Sequence, residues 1–491
     1  MNRSKIAPSL KALVGLATVL VGGSRASAGE APTTKPSAAL PPISVVRYDE
    51  DYSFLRDTSR RSDLFDPIKY IPFNQNGDAY LSLGGSMRER YEYFHNINGG
   101  TPPQDANGYY LTRFLAHADL HLGDNFRIFA QLKSSMEDGR DGGPRPSDSD
   151  EFDIQQAFFD LRLPLGGTTR DAITFRGGRQ ELAYGAERLI GVSDWSNVLR
   201  TFEGGRAMLA TGNNRLDLFW VRPVVISSEE PNVGDGNTSF AGIYDTLALP
   251  SVLQGAKLEL YGLALNKTKG AAYDTAGAVG VDSDTYTLGV RFSGKPAPFD
   301  FDAELDYQFG QYNHGDLNAY SVSLVGGYTM TAVLTPRIFV GFDYASGDND
   351  RADADRQTFN QLFPTGHMYL GYIDMVGRQN IIDIHPGVDF TLCKDRPNVK
   401  SLTLRAEYHQ FWRASTDDAV YNAAGGITRA AVAGHDERGI GGELDLLLTW
   451  QVDRHLALCA GYSHLWSGAF LRNTGPGKDV DFFYAWASYA F

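Results

Sequence analysis

Arginines recur through the first half of the chain at positions that can share one surface: Arg88, Arg90, Arg113, Arg127, Arg162, Arg176, Arg206 and Arg215, with Lys133 among them. A guanidinium stays charged, and its planar fork matches a carboxylate. Cations spaced as many weak sites can hand a polyanion along without trapping it. A second group, Arg291, Arg405 and Arg413, falls among acids: Asp302, Glu304, Asp306, Asp383, Asp389 and Glu407. These acids are expected to pair with arginines and hold them in register. Other chemistries fit less well. Asp302 and Glu304 could suggest a glycosidase pair, but acids alternating along one strand read more simply as wall, so no catalytic residue is expected. The histidines are scattered, with no HxxxH or HExxH on a helix, so neither a metal site nor a cofactor is expected. DNDRADADR (348–356) is rich in carboxylates but lacks the glycine and terminal glutamate of an EF-hand loop, and reads as a solvated acidic loop.

The elements that must position these cations are strands, because side chains alternate between faces with period two. In TYTLGVRFSG (285–294), Tyr286, Leu288, Val290 and Phe292 oppose Thr287, Gly289, Arg291 and Ser293. In 301–310, Phe301, Ala303, Leu305, Tyr307 and Phe309 oppose Asp302, Glu304, Asp306 and Gln308. In 401–413, Leu402, Leu404, Ala406 and Tyr408 oppose Thr403, Arg405, Glu407, His409 and Arg413. In 382–390, Ile382, Ile384 and Val388 oppose Asp383, His385 and Asp389. Near the start, Leu81, Leu83, Gly85 and Met87 take the apolar face, which turns Arg88 and Arg90 the other way. Arg179 and Arg222 fall on the apolar parity, so they sit at a rim or beside a bulge.

The connectors differ in length. Segments 121–125, 164–171, 212–214, 293–298 and 451–455 are tight. Segments 95–108, 137–151, 268–284, 348–378 and 416–437 are long and polar. Short turns on one rim and long loops on the other describe an outer-membrane barrel, with turns periplasmic and loops extracellular. The expected fold is all-β, a transmembrane antiparallel β-barrel of about eighteen strands between Ala79 and Phe491. The aromatic segment DFFYAWASYAF (481–491) is expected to be its closing strand, pairing with the first and removing the sheet edges.

Composition agrees. The 491 residues include 25 Tyr, 28 Phe, 6 Trp and 53 Gly, yet mean hydropathy is polar. Alternating apolar and polar residues give that average. The formal charge of −14 makes nucleic acid an unsuitable partner. Residues 1–28 have a basic start, a short apolar run and Ala26-Ser27-Ala28, a secretory signal pattern. Residues 29–47 read as a flexible linker, 48–77 as a periplasmic arm and 78–491 as the barrel. Cys393 and Cys459 are expected to be free thiols.

Three stretches carry a family resemblance: YDEDYSFLRDTSRRSDLFDPIKYIPF (48–73), FRGGRQELAYGAERLIGVSDWSNVLRTFEGGR (175–206) and FDYASGD…TFNQLFPTGHMYLGYIDMVGRQN (342–380). They resemble the alginate export family of outer-membrane proteins, over nearly the whole chain from Tyr48. The resemblance implies an eighteen-stranded barrel whose arginine-lined lumen guides an anionic polyuronate outward, without cofactor or chemistry. The arginines named above, apart from Arg179 and Arg222, would then line the conduit together with Lys133. Partners would be the anionic polysaccharide, outer-membrane lipid and periplasmic export proteins. Two other readings stand beside it: an uptake porin for small anions, and a secreted β-rich carbohydrate-binding protein or hydrolase.

Overall fold

The computed structural model describes residues 43–491, apart from 106, 167–170, 228–229, 251, 270–279 and 351. The segment expected to be a signal and most of the expected linker lie outside the described residues. Eighteen long strands form the wall: β1 (Ala79–His95), β2 (Tyr109–Leu122), β3 (Phe126–Asp138), β4 (Asp150–Pro164), β5 (Ala172–Gln180), β6 (Phe202–Thr211), β7 (Asn214–Val225), β8 (Thr238–Ala248) and β9 (Lys257–Lys267), followed by β10 (Ser283–Gly294), β11 (Phe299–Tyr312), β12 (Gly315–Thr329), β13 (Arg337–Ala345), β14 (Ile381–Arg396), β15 (Val399–Trp412), β16 (Gly439–Gln451), β17 (Leu456–Ser467) and β18 (Val480–Ala490). Each pairs antiparallel with the next.

The ring closes between β18 and β1, with Met87 opposite Tyr489 and His95 opposite Asp481. Beyond β18, Phe491 and Gly85 exchange backbone hydrogen bonds at 2.9 Å. No long sheet edge is left at that seam, which is what allows strands to lie in lipid. The outward parity carries an apolar belt. Trp220 is 60% and Leu288 57% exposed, with Phe114, Leu132, Leu305 and Val340 also bare. A water-facing surface seldom carries so continuous an apolar band; a lipid-facing one requires it.

The connector rule holds with one exception, since β11 and β12 join on the long-loop rim through Asn313 and His314 alone. Asn313 adopts φ 56°, a left-handed turn conformation asparagine tolerates. Arg179 and Arg222 stand at the same rim on the outward parity, and the ladders of β5–β6 and β6–β7 run through without a register shift.

The structure corrects the reading of 348–378 as a polar loop. The connector after β13 (346–380) turns into the barrel, as does the connector after β5 (181–201). Both carry apolar side chains that alternate with no strand period: Leu182, Leu189, Ile190 and Val192 in one, Phe359, Leu362, Phe363 and Ile373 in the other, all buried. The wall answers them. Phe202, Phe219, Val221, Phe240, Leu263 and Leu265 point inward and join the same core. The two connectors also pair with each other: the Gly191 amide donates to the Phe363 carbonyl and the Phe363 amide to the Leu189 carbonyl, both at 2.9 Å. Burial of apolar surface against an apolar wall draws them in.

The residues before β1 enter from the opposite rim. The Tyr48 ring packs edge-on to Phe158 at 5.4 Å and Phe129 at 6.2 Å, and its hydroxyl donates to the Glu181 carbonyl at 2.9 Å. Tyr52, Leu55, Tyr70 and Tyr80 form a second cluster. Ile71 and Pro72 pair with Leu81 and Tyr80.

Candidate translocation lumen

Strand parity turns Arg88 and Arg90 on β1 and Arg113 on β2 inward, and all three are buried. Arg88 and Arg113 stand directly opposite each other, an arrangement that repels unless the forks find acceptors. Loop 181–201 supplies them. Arg88 donates to the carbonyls of Asp194 (2.7 Å), Trp195 (3.0 Å) and Ser196 (3.1 Å). Arg113 donates to the carbonyls of Asp194 and Ser196 and to the Asp194 carboxylate at 2.7 Å. Arg90 donates to the Trp195 carbonyl, lies 3.9 Å above the Trp195 ring and pairs with Glu92 at 2.8 Å. Trp195 in turn stacks on His367 of the other infolded loop at 3.6 Å. These arginines face the lumen but grip its plug.

A second row crosses β3 to β6 at one level, because Arg127, Asp160, Arg176 and Arg206 are successive register partners. Arg127 clamps Asp119 at 2.6 and 2.7 Å and donates to the Tyr48 carbonyl at 2.8 Å. Arg176 forks onto Asp160 at 2.7 and 2.8 Å and lies 4.1 Å over the Tyr48 ring. Arg206 pairs with Asp217. Arg215 shares that carboxylate, with its side chain 50% exposed. Arg127, Arg162, Arg176 and Arg215, with Asp160 and Tyr48, line a cleft of about 340 Å³ at the short-turn mouth.

The remaining predicted residues fall elsewhere. Lys133 is buried against Asp150 at 2.7 Å, toward the long-loop rim. Arg291 joins Asp302 (3.1 Å) and Glu259 on the opposite wall. Arg405 pairs with Asp389 at 2.7 Å and stays 31% exposed. Arg413 lies one residue past β15. It is fully buried over the Phe470 ring at 3.6 Å and donates to the carbonyls of Thr416, Asp418, His435 and Glu437. Arg413 thus braces the loop that follows β15.

Sequence reasoning missed Arg188 and Arg378. Arg188 reaches Asp302 (2.8 Å) and Glu304 (2.7 Å), and Arg378 reaches Asp343 (2.6 Å). Both sit on the infolded connectors, where no alternation shows which way a side chain points. Arg337, bound to Asp300 and to Asp389 at 3.0 Å, was within reach, since Arg337, Phe339, Gly341 and Asp343 share the inward parity.

At the short-turn mouth the arm supplies its own charges. Burial pushes the Lys69 ammonium down to about 8, with Arg47 adding to the effect. Its Nζ has no hydrogen-bond partner among the described residues and sits 4.9 Å from the Tyr52 ring. Asp63 is held below the usual carboxylate range. Burial opposes this, but the Phe65 amide and His455 outweigh it.

The geometry is that of a channel wall with two basic clusters and a plug between strands and loops. A family model for alginate export matches residues 79–484. Among solved structures the chain is similar to OccD3 (OpdP) of Pseudomonas aeruginosa, at 11% identity and TM-score 0.56, covering 86% of this chain and 93% of that one. It is similar to a BenF-like porin of Pseudomonas fluorescens, at 12% identity and TM-score 0.54 over 84% and 98%. It also resembles OpdK of Pseudomonas aeruginosa, solved with vanillate, at 11% and 0.55 over 83% and 98%. Among curated protein sequences none matches. At such identities the structures speak for the barrel alone, while the family match spans most of the chain: this protein belongs to the alginate export family and is a β-barrel channel of the bacterial outer membrane.

Proposed function

We propose that the channel exports an anionic polysaccharide, an alginate-like polyuronate, from the periplasm. One observation carries the reading: guanidinium groups of consecutive strands line the short-turn mouth as a row, and a second cluster waits above it under loop 181–201. A carboxylate-bearing chain entering the mouth would meet Arg127, Arg162, Arg176 and Arg215 first. Arg127, Arg176 and Arg215 each already share an acid, so each is a weak site, as transit requires. The net charge of the protein is negative, but the nearest fixed charges dominate in a narrow lumen and salt screens distant loops within about 10 Å. Uptake of small carboxylates is the second reading, favoured by the likeness to a porin solved with vanillate.

The test is conductance in planar bilayers. Arg127, Arg162 and Arg215 replaced together by Gln should lower anion selectivity and shorten block by uronate oligomers. Under export, block by the wild-type channel lengthens with each added sugar. Under small-anion uptake, monomer and oligomer act alike. A cation-selective wild-type channel unblocked by any oligomer would overturn export.

A further inference from the structure

The histidines look scattered in the sequence, yet adjacent strands bring two of them together. His385 follows Asp383 by two residues on β14, so both point inward, and His409 on β15 lies beside them. The Nδ1 atoms of His385 and His409 converge on one oxygen, Oδ2 of Asp383, at 2.7 and 2.8 Å. The three ligand atoms lie within 4.8 Å of one another, and all three residues are buried.

Two further observations point to a missing cation. The other carboxylate oxygen of Asp383 is buried without a hydrogen-bond partner among the described residues. On the side of the Nδ1 atoms, Oδ2 of Asp343 lies 3.7 Å from His385, too far for a hydrogen bond, while Nε2 of His409 turns the other way, toward Glu407 and Asp445. Asp343, Asp383, Glu407, Glu443 and Asp445 are all buried within this patch. The arginines nearby are engaged: Arg378 with Asp343, and Arg405 with Asp389, reaching Glu407 only at 3.7 Å. Buried negative charge without a partner is costly.

We propose that Asp383, His385 and His409 form a binding site for a transition-metal dication of the zinc class. Two imidazoles and a carboxylate suit such ions, which draw their nitrogen ligands to about 2.0–2.1 Å. Asp343, whose Oδ2 stands 3.7 Å from Nδ1 of His385, or a water molecule would complete the shell. The ion would offset the acids of β14 to β16. It would also fix the wall against loop 346–380, which Glu443 holds by accepting the Ile373 amide at 2.9 Å. Motif rules missed the site because its ligands come from neighbouring strands, not from one helix.

The experiment uses untagged full-length protein in detergent, stripped with chelator and titrated with Co²⁺ and then Zn²⁺. The folded wild type should take up one equivalent. Cobalt should show the intense visible bands of a low-coordinate site, zinc should displace it, and X-ray absorption should show two imidazole ligands. The His385→Gln/His409→Gln double variant should bind more weakly by over about 100-fold, beyond the loss expected from an outer-shell change. The heat-modifiable gel shift verifies that the variant folds. If it does not fold, the imidazole count in the wild type decides alone. No stoichiometric uptake by the wild type, equal binding by a folded double variant, or a shell without imidazole would each overturn the proposal, leaving an adventitious ion only.

Discussion

Phe363→Ala should release the plug while leaving the barrel intact. Phe363 is 1% exposed. Its ring meets Phe202 edge-on at 5.2 Å and Phe240 at 5.0 Å, both projecting from the wall. Truncating a buried phenylalanine costs about 3–5 kcal/mol, and two aromatic contacts of this kind account for about 1–3 kcal/mol of that. The backbone bonds to Leu189, Gly191 and Arg200 survive the substitution, so the loss falls on docking of loop 346–380 against β6 and β8. At about 1.4 kcal/mol per tenfold, the undocked population should rise about 100-fold or more. The strand ladders do not involve this residue. The expected result is a channel with normal heat-modifiability but more frequent high-conductance openings in planar bilayers, and faster proteolysis within 346–380. Unchanged conductance and proteolysis in a folded Phe363→Ala protein would refute the apolar anchor.

Three further outcomes test other parts of the structure. Leu404→Arg, on the lipid face of β15, should destabilise folding into bilayers by about 2–4 kcal/mol near the midplane, whereas Thr403→Arg, on the inward face, should cost far less; equal losses in folding titrations would contradict the parity. Lys69 titrates at about 8 when the arm is docked and at 10.5 in the free chain. The undocked arm therefore binds more protons between these values, and docking tightens as pH rises through that window, by at most about 3 kcal/mol; Lys69→Met should bind tightly at every pH, measured by trypsin cleavage at Arg60 and Arg61 relative to an isolated arm peptide. Phe491→Ala removes the 5.0 Å stack on Phe65 and should speed proteolysis of the arm and reduce yield of folded barrel, with normal values for both counting against the contact.

Much of the wall was legible because a barrel strand repeats one rule. Asp302, Glu304 and Asp306 on β11 and Arg88 and Arg90 on β1 show their direction through apolar neighbours at odd spacing. The rule fails where the chain stops alternating. Gln155 and Gln156 are both buried because β4 bulges there, and Arg413 lies past its strand. It also says nothing about what an inward side chain meets. The grip of Arg88 and Arg113 on Asp194 and Ser196 joins segments about 80 to 108 residues apart, and only the closed ring brings them together. The infolding of 346–380 is visible in hindsight, since Phe359, Phe363, Ile373 and Val376 are too apolar for a loop in water. The destination of that surface depends on Phe202, Phe240 and Leu263, set on three separate strands.

Arg47 touches both sides of the barrel seam. It donates to the Gly85 carbonyl at 3.0 Å and to the Phe491 carbonyl at 2.7 Å, where β1 and β18 meet. That pair of acceptors does not exist in an open sheet, because Phe491 lies 406 positions beyond Gly85. The clasp can therefore fasten only after the ring has shut. A barrel closed out of register would offer Arg47 two acceptors at the wrong spacing. Protection of the arm thus becomes a readout of finished assembly, distinct from the presence of strands, and adding the arm as a separate peptide to refolding barrels would count the correctly closed ones.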